Sequence, residues 1–434
     1  MFPGQCGCGG GEEEKAASVS GRDGVGYAAF SDGFDGGFQA ATCDGAAVVG
    51  RLRLVGPPSL ARLAAALDEP VTCVMYTLLL PFAADVARGL GVPAYFFWTM
   101  PAAALSVYHH FFHARHGLAD PDRRVEVPGL EFLRARDLPS LLTGPTPYLP
   151  AFREMFDVVE ASAGNGDGKK KPRVLVNTFD ALEAAALASV PGIDLVPLGP
   201  MVGGAGEDED VDGDLFEQDA AAGYMGWLDA QADGSVVYVS FGSIAVLPAA
   251  QLEEIRRGLE ATRRPFLWVV RRDNRCDGTP MAASGGMVVE WCAQSRVLAH
   301  RAVGCFVTHC GWNSTVEALA RGVPMVMAPQ WSDQPTNARM AEALWGVGVR
   351  AEPDVDGTGT VRGAELARCV DAVMGDGDEA RAIRRRSRQW KARAAQALRQ
   401  TDGDGDGTVE SHLRRFMRGV CAARTDSDNS AWPL

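Results

Sequence analysis

The chain has 434 residues, which is enough for two domains of about 200 residues with cores of their own. It carries 42 Lys and Arg against 55 Asp and Glu, a formal net charge of −13, and 47% of its residues are hydrophobic. This balance argues against a nucleic-acid-binding protein, because such proteins present a basic face to phosphates, and against a largely disordered chain.

Short apolar runs alternate along the chain with longer segments of helical periodicity. The predicted strands are residues 25–30, 71–76, 94–98, 174–178, 194–198, 235–241, 266–270, 288–291, 303–309 and 324–328. The predicted helices are residues 82–89, 101–113, 180–189, 248–261, 314–321, 335–345, 362–374 and 379–399. Such alternation is typical of parallel sheets covered on both faces, so we expect an α/β protein with two doubly wound sheets facing a cleft.

Polar segments interrupt this alternation and suggest where the domains divide. Residues 165–171 (NGDGKKK) are predicted to form an exposed loop, and the acidic, Gly-rich residues 203–214 are predicted to link two domains, 1–202 and 203–434. The C-terminal helices could pack back on the first domain. Residues 402–407 (DGDGDG) resemble the start of a calcium loop, but Leu413 occupies the position that requires Glu, so we expect a surface loop.

The location of the protein is predicted from its first residues, its cysteines and its apolar stretches. The first 15 residues contain no apolar signal core, and the ten cysteines form neither a disulfide framework nor a metal-ligand set. The most apolar stretch, residues 71–108, is interrupted by Pro81 and Asp85, which indicates a strand-helix-strand unit and not a membrane span. We therefore expect a reduced, cytoplasmic protein.

A strand, a tight turn and a helix are predicted between residues 303 and 321, with the helix beginning at Asn313 or Ser314. A helix N-terminus offers free backbone N–H groups and the positive end of the helix dipole, which suits a phosphate. Gly311 lets the backbone approach an anion closely, and His309, Asn313 and Ser314 add side-chain donors. Glu317, one turn further on, can reach hydroxyl groups beyond the phosphates.

The same residues also have an interpretation that needs no ligand. Ser314 and Glu317 have the spacing of a capping box, and His309 could be a hydrogen-bonded histidine at a strand end. Trp291 and Trp312 could be ordinary core aromatics. The spacing by itself leaves these alternatives open.

The 44 residues from 291 to 334 resemble, nearly letter for letter, the signature of plant secondary product glycosyltransferases. Further matching segments are SDGFDGGF near Ser31, VPGLEFLRARDLPSLL near Val127, VLVNTFDALE near Val174 and SVVYVSFGS near Ser235. The chain therefore resembles the plant UDP-dependent glycosyltransferases of family 1 along almost its whole length. The resemblance implies the GT-B fold and the transfer of glucose, with inversion, to a small lipophilic metabolite.

The resemblance also implies roles for individual residues toward a UDP-glucose co-substrate, with no cofactor and no metal. Trp291 would stack on the uracil, Gln294 would lie near the nucleoside, and Glu317 would hold the ribose hydroxyls. Asp333 and Gln334 would bind sugar hydroxyls, and a terminal Gln in this signature usually accompanies UDP-glucose. The implied diphosphate-binding residues are His309, Asn313, Ser314 and Ser243, with backbone groups of Gly311 and Trp312.

The catalytic residues of the family have no clear counterparts in this sequence. Most members use a histidine after the first strand as a base and an aspartate that orients it, yet the first histidine here is His109. Thr77 occupies the position of the aspartate. We therefore expect the chain to begin late relative to the family, with an incomplete acceptor-binding domain (1–202) and an intact domain (203–434) that binds the UDP-sugar donor. His109 or His110 would then be substitute bases. The aromatic segment 101–116 could line the acceptor pocket or form a core helix.

Two functions from different classes remain open on these grounds. The first is a UDP-glucose-dependent glucosyltransferase that acts as a monomer. The second is a catalytically inactive relative that binds the nucleotide sugar. An NAD-dependent oxidoreductase is disfavoured, because no predicted strand is followed by the glycine pattern and ribose-binding acid of that class.

Overall fold

The computed structural model of the protein describes residues 19–20, 26–34, 45–114, 125–144, 146–162, 171–202, 221–274, 285–354, 357–399 and 408–428. The predicted linker at 203–214, the loop at 402–407 and nearly all of the loop at 165–171 lie outside these residues. The division into domains 1–202 and 203–434 therefore stays a prediction.

The first half of the chain forms one parallel sheet and one short antiparallel pair. Its strands and helices are β1 (Val19–Ser20), β2 (Gly26–Tyr27), α1 (Gly45–Ala66), β3 (Val74–Tyr76), α2 (Phe82–Gly89), β4 (Ala94–Trp98), α3 (Ala102–Ala114), α4 (Leu149–Ala161), β5 (Arg173–Val176), α5 (Asp180–Ala188) and β6 (Asp194–Pro197). Two 3-10 turns, Ala135–Asp137 and Ser140–Leu142, lie between α3 and α4. Of the strand predicted at residues 25–30, only the two residues of β2 are in a strand, and they pair antiparallel with β1.

Strands β3 to β6 form a parallel sheet of four strands in chain order. Side chains alternate between its faces, as in any strand, and the two faces are covered by different parts of the chain. Phe96 and Trp98 belong to the main core, where the ring of Trp98 lies 6.1 Å from that of Phe152 on α4. Tyr95 and Phe97 lie on the opposite face, in a smaller apolar cluster.

The second half forms a larger parallel sheet with helices on both faces. Its elements are α6 (Ala221–Asp229), β7 (Val236–Ser240), α7 (Ala249–Ala261), β8 (Phe266–Val269), β9 (Gly286–Val289), α8 (Gln294–Ala299), β10 (Val303–Thr308), α9 (Trp312–Arg321), β11 (Met325–Met327), α10 (Gln334–Arg339), β12 (Gly348–Arg350), α11 (Gly363–Met374), α12 (Asp378–Ala397) and α13 (Val409–Asp428). Every residue of β7 is buried, as expected of a central strand covered on both sides.

The six strands of this sheet follow the order β12-β11-β10-β7-β8-β9. The chain runs outward from β7 to β9 and then crosses to β10 on the other side of β7. The strand order therefore reverses between β7 and β10, and a doubly wound sheet opens a ligand-binding crevice at the carboxyl ends of its strands at such a point. The predicted fold class, α/β with two parallel sheets, is confirmed.

The predicted elements agree with the structure best where the apolar pattern is strong. The strand at 94–98 and the helix at 82–89 have the predicted bounds, whereas the helix predicted at 335–345 ends at Arg339 and continues as a π-helical turn, Met340–Leu344. The sequence analysis did not predict β1, α1, α4, α6, α8, β12 or α13. None of the described helices has the length and apolar content needed to cross a membrane.

Helix α13, near the end of the chain, packs on the sheet of the first half. The ring of Phe416 meets that of Tyr95 edge-on at 4.6 Å, and Phe416 is buried together with Leu175 of β5. His412 Nε2 lies 2.7 Å from Asp180 Oδ2 at the start of α5. Residues that are distant in sequence thus cover one face of this sheet.

A buried ion pair joins a 3-10 turn of the first half to strand β12 of the second half. The carboxylate of Asp137 accepts a hydrogen bond from Arg350 Nη1 at 2.9 Å and lies 3.7 Å from Arg339 Nε. The hydroxyl of Thr336 donates to the backbone carbonyl of Asp137 at 2.7 Å. Because the side chains of Asp137 and Arg350 are only 1% and 9% exposed, each depends on the other for compensation of its charge.

Replacing Asp137 with Asn is expected to lower the free energy of unfolding by roughly 3 kcal/mol, because Arg350 would keep a buried charge without its main partner. Urea unfolding followed by tryptophan fluorescence measures this loss. Asp194→Asn is the matched control, since its pair with Arg173 is exposed and such pairs contribute at most about 1 kcal/mol. Equal losses in the two variants would contradict the role assigned to the buried pair.

Candidate functional site

The loops after β7 and β10 meet where the strand order reverses, and His309 lies between them. A Cβ atom added at Gly242 would lie 2.6 Å from His309 Nε2, and one added at Gly311 would lie 2.5 Å from the same nitrogen. Gly242 also has a φ of +78°, a conformation that favours glycine. Both turns therefore require glycine, and their backbones hold the imidazole in place.

Burial lowers the pKa of His309 to about 4, although the nearby backbone of Ser240 acts in the opposite direction. The imidazole is therefore neutral at pH 7, and it can donate one hydrogen bond and accept another. His309 adds a polar contact to the crevice but no positive charge. An anion at this turn would be attracted chiefly by backbone N–H groups.

Helix α9 begins directly after the turn, with Gly311 as its N-cap and Trp312 as its first residue. The predicted start at Asn313 or Ser314 was one or two residues too late. No described side chain caps this end of the helix, so the alternative capping box of Ser314 and Glu317 is not formed. An uncapped helix N-terminus of this kind is suited to an anion.

Ser314 and Glu317 share a different partner, the side chain of Gln294. Gln294 Nε2 donates to Ser314 Oγ at 3.0 Å and to Glu317 Oε2 at 2.9 Å, and the Tyr238 hydroxyl donates to Gln294 Oε1 at 3.3 Å. Gln294 is the first residue of α8, and Trp291 lies half-buried in the short loop before it. Three of the predicted residues are therefore in direct contact, and Trp291 is one short loop away.

Trp312 and Asn313 face the first half of the molecule. Trp312 is 3% exposed, and its indole N–H donates to the backbone carbonyl of Asn177 at 2.7 Å. Asn177 Nδ2 donates to Asn313 Oδ1 at 3.3 Å. The ring of Trp312 is thus a core aromatic, and only its backbone remains for a ligand. Asn177 was missed, although it lies in the segment VLVNTFDALE noted above.

Asp333 lies at the start of α10 and is connected to the histidine turn through Asn337. Asn337 Nδ2 donates to Asp333 Oδ2 at 2.7 Å and to the backbone carbonyl of Cys310 at 2.8 Å. Burial raises the pKa of Asp333 to about 6, against the opposing effect of the hydrogen bond from Asn337. The sequence analysis missed Asn337, which one helical turn of spacing from Asp333 could have indicated.

The loop before α10 is held from two sides. Gln334 Oε1 accepts hydrogen bonds from the backbone N–H groups of Gln330 and Trp331 at 2.8 and 2.9 Å. Ser332 has a φ of +61°, and its N–H donates to Ser140 Oγ at 2.7 Å, while its carbonyl accepts from Ser140 N at 2.8 Å. Ser140 was also missed by the sequence analysis, although it lies within the segment that contains DLPSLL.

Two further predicted residues lie at strand ends. Ser243 is exposed in the turn after β7, directly after Gly242. Thr77 follows β3 and is half-buried, and its backbone carbonyl accepts a hydrogen bond from Leu80 N at 3.3 Å. Both residues therefore stand at the carboxyl ends of parallel strands, on different sheets.

The two histidines considered as substitute bases lie on α3. His109 is 7% exposed, and His110 Nε2 lies 3.2 Å from the backbone oxygen of Ser189. Within the described part of the chain, neither has a hydrogen bond to the residues around His309. Their role as bases stays a prediction.

The sequence of this chain is similar to those of known plant glucosyltransferases. Residues 213–398 match the family model described as UDP-glucoronosyl and UDP-glucosyl transferase. A chloroplastic crocetin glucosyltransferase of Gardenia jasminoides is 38% identical over 431 residues, which cover 93% of this chain and 88% of that protein. A phloretin 4'-O-glucosyltransferase of Malus domestica is also 38% identical, with 91% of this chain and 87% of that protein covered.

Similarity to solved structures extends over the same length. The crystal structure of Os79 from O. sativa in complex with UDP superposes with a TM-score of 0.77 at 32% identity, covering 90% of this chain and 88% of that one. Similarity of this extent in sequence and fold, with the signature residues gathered at the switch point, identifies the family. The chain belongs to the plant family 1 UDP-dependent glycosyltransferases, enzymes of GT-B fold that use a UDP-linked sugar as co-substrate.

Proposed function

We propose that this protein transfers glucose from UDP-glucose, with inversion at the anomeric carbon, to a hydroxyl or carboxyl group of a small lipophilic plant metabolite. The observation that carries the proposal is the cluster at the switch point, where a neutral histidine lies beside an uncapped helix N-terminus. The names of relatives that glucosylate crocetin and phloretin support glucose as the sugar and a small molecule as the acceptor.

The nucleoside would bind along the first two turns of α9. Trp291 would stack on the uracil ring, and Glu317 would accept hydrogen bonds from the ribose hydroxyls. Gln294 bonds to Ser314 and Glu317, so it would fix the carboxylate that meets the ribose. A carboxylate suits this task, because it only accepts hydrogen bonds and the hydroxyls donate them.

The diphosphate would lie at the start of α9. Negative charge grows on the leaving diphosphate as its oxygen separates from the anomeric carbon, and the positive end of the helix dipole stabilises that charge. Neutral His309 would donate a hydrogen bond to the same group. The proposed diphosphate-binding residues are Ser243, His309, Asn313 and Ser314 with the backbone N–H groups of Gly311 and Trp312.

The glucose would lie against Asp333 and Gln334. The ionised carboxylate of Asp333 would accept hydrogen bonds from sugar hydroxyls, and Asn337 holds that carboxylate toward the histidine turn. Gln334 anchors its loop through Oε1, which leaves its amide N–H groups for a hydroxyl oxygen of the sugar.

Replacing Glu317 with Ala is expected to raise the Kd for UDP about 10- to 100-fold, because hydrogen bonds to a charged group contribute about 1.5 to 3 kcal/mol. Isothermal titration calorimetry with UDP measures the change. Glu379→Ala is the control, since Glu379 is exposed in the first turn of α12, and its Kd should equal that of the unaltered protein. An unchanged Kd in a folded Glu317→Ala protein would remove the ribose role.

The raised pKa of Asp333, about 6, predicts a pH dependence of sugar binding. The carboxyl would be about nine-tenths protonated at pH 5 and about one-tenth at pH 7, so the KM for UDP-glucose should rise about tenfold as the pH falls between these values. In Asp333→Asn the KM should be high at both pH values, and a pH-dependent KM in that variant would contradict the assignment.

The absence of a histidine before His109 bears on which acceptors this chain can use. A phenol has a pKa near ~10 and needs a base at pH 7, whereas a carboxylic acid near ~4 is already ionised. General-base assistance contributes about 10²- to 10⁴-fold to a rate. We therefore propose that the chain of this sequence prefers carboxylate acceptors and forms glucose esters faster than phenolic glucosides.

A matched pair of acceptors, 2-naphthoic acid and 2-naphthol, tests this preference. We expect kcat/KM with UDP-glucose to be about 10²-fold higher for the acid at pH 7. The rate with the phenol should rise about tenfold per pH unit toward its pKa, because only the ionised phenol would react without a base. Faster turnover of the phenol at pH 7 would contradict the proposal, and UDP binding without turnover of either acceptor would favour a binding protein.

A monomeric state and a cytoplasmic location remain predictions from the sequence. Light scattering on the purified chain tests the first, and imaging of a fluorescent fusion in plant cells tests the second. Neither property is needed for the donor geometry described above.

A further inference from the structure

A second cluster of chemically reactive side chains lies away from the donor site, between α3 and α4. His109 and His113 are four residues apart and therefore lie one above the other on the same face of α3. Their rings stack with centroids 4.2 Å apart, and Glu160 of α4 lies beside them. Glu160 Oε1 is 3.2 Å from His113 Nε2 and 4.0 Å from His109 Nε2.

The hydrogen bond of His113 selects the nitrogen that remains for a ligand. Its Nδ1 lies 2.7 Å from the backbone carbonyl oxygen of His109, so Nδ1 carries the proton and donates it. Nε2 then holds a lone pair, and it is the nitrogen that faces Glu160. A histidine whose Nδ1–H is fixed by a carbonyl and whose Nε2 is free is the arrangement found around protein-bound metals.

Burial and missing partners distinguish this cluster from an ordinary surface ion pair. The side chain of His109 is 9% exposed, and its Nδ1 has no hydrogen-bond partner among the described residues. Glu160 Oε1 is likewise buried without a hydrogen bond in that part of the chain. Polar groups withdrawn from water are nearly always paired, so the unpartnered carboxylate oxygen indicates a missing ligand. The His109 nitrogen that would share this ligand is Nε2, which lies 4.0 Å from that oxygen. His113 and Glu160 are 43% and 38% exposed, which leaves a path from solvent.

We propose that His109, His113 and Glu160 form a binding site for a divalent late first-row metal ion such as Zn²⁺. One nitrogen of each histidine and one carboxylate oxygen lie within 4.8 Å of one another. A tetrahedral zinc ion at about 2.0 to 2.2 Å from each ligand needs the ligand atoms about 3.4 Å apart. His113 Nε2 and Glu160 Oε1, at 3.2 Å, already have this spacing, so these two side chains would move together by about 1 Å toward His109. Two imidazoles and one carboxylate match the preferences of zinc and leave a fourth position for water.

Such an ion would connect α3 to α4 on the half of the molecule assigned to the acceptor. His109 and Phe156 of α4 already contact each other, with ring centroids 6.0 Å apart, so the helices need no large movement. The ion would thus restrain the relative position of two helices that contribute to one core. This inference goes beyond the proposed transferase activity and does not depend on it.

The test uses the full chain without an affinity tag, treated with EDTA and freed of chelator. Calorimetric titration with ZnCl₂ in the absence of UDP should show one site per chain, and the ion should raise the unfolding temperature. Co²⁺ should give visible absorption bands of a tetrahedral nitrogen-oxygen site. His113→Ala and Glu160→Gln should each weaken binding at least about 10-fold and abolish the thermal shift.

His110→Ala is the matched control, because His110 neighbours the cluster but pairs with the backbone of Ser189. It should bind Zn²⁺ as the unaltered protein does. Glu160→Gln keeps the size of the side chain, so a loss of Zn²⁺ binding in this variant should not result from misfolding. An unfolding temperature in EDTA equal to that of the unaltered protein verifies that the variant is folded. No binding by the unaltered chain would overturn the proposal, and so would Zn²⁺ binding by Glu160→Gln and His113→Ala as tight as that of the unaltered chain.

Discussion

Hydrogen bonds between loops of the two sheets determine the shape of the candidate donor site. Ser140, the first residue of a 3-10 turn in the first half, hydrogen-bonds to both the N–H and the carbonyl of Ser332, whose φ is positive. A non-glycine residue in that conformation persists only where its surroundings hold it. Asp333 and Gln334 follow directly, so the residues proposed to meet the sugar are positioned partly by the other half of the molecule.

Asn177 of the first half contacts Trp312 and Asn313, so the start of α9 is also positioned partly by the other half of the molecule. The sequence led us to expect an intact donor domain beside an incomplete first domain, as if the two were independent. The structure shows them coupled through polar atoms at the carboxyl ends of their strands. Changes in the loops of the first half should therefore alter the donor site as well as the acceptor side.

Among the described residues proposed to bind the diphosphate, none carries a positive charge at pH 7. His309 is neutral because burial lowers its pKa, and the residues around it are amides, hydroxyls and backbone groups. A chain with a net charge of −13 can hold an anion in this way, because the field that matters is local. Attraction by a helix dipole is modest, up to about 2 kcal/mol, so the UDP product can also dissociate after the sugar has been transferred.

The sequence predicted best those features that depend on local pattern. The apolar strands at 94–98 and 303–309 and the helix end at Gly322, which has a φ of +74°, follow from periodicity and glycine chemistry. The capping box of Ser314 and Glu317 was a local rule that failed, because Gln294 binds both side chains instead.

Contacts between distant parts of the chain were beyond prediction from one sequence. Ser140 and Ser332 are 192 residues apart, and nothing in the pattern around either one indicates the other. Helix α1 contains Pro57 and Pro58. Proline inside a segment predicts a break in a helix, so the sequence pattern did not indicate this one. Helix α13 did carry a signal, since Leu413, Phe416 and Val420 recur at helical spacing, but its packing partner could not be inferred.

That packing partner has a consequence for biosynthesis. Phe416 and Val420 complete the apolar cluster on one face of the β3–β6 sheet, and more than 200 residues separate them from β6. A ribosome adds about 5 to 20 residues per second, so this face waits on the order of ten seconds or longer for its cover. During that interval the nascent first half presents Tyr95, Phe97 and Leu175 to solvent or to a chaperone. The last of the described helices is therefore the one that covers this face of the first sheet.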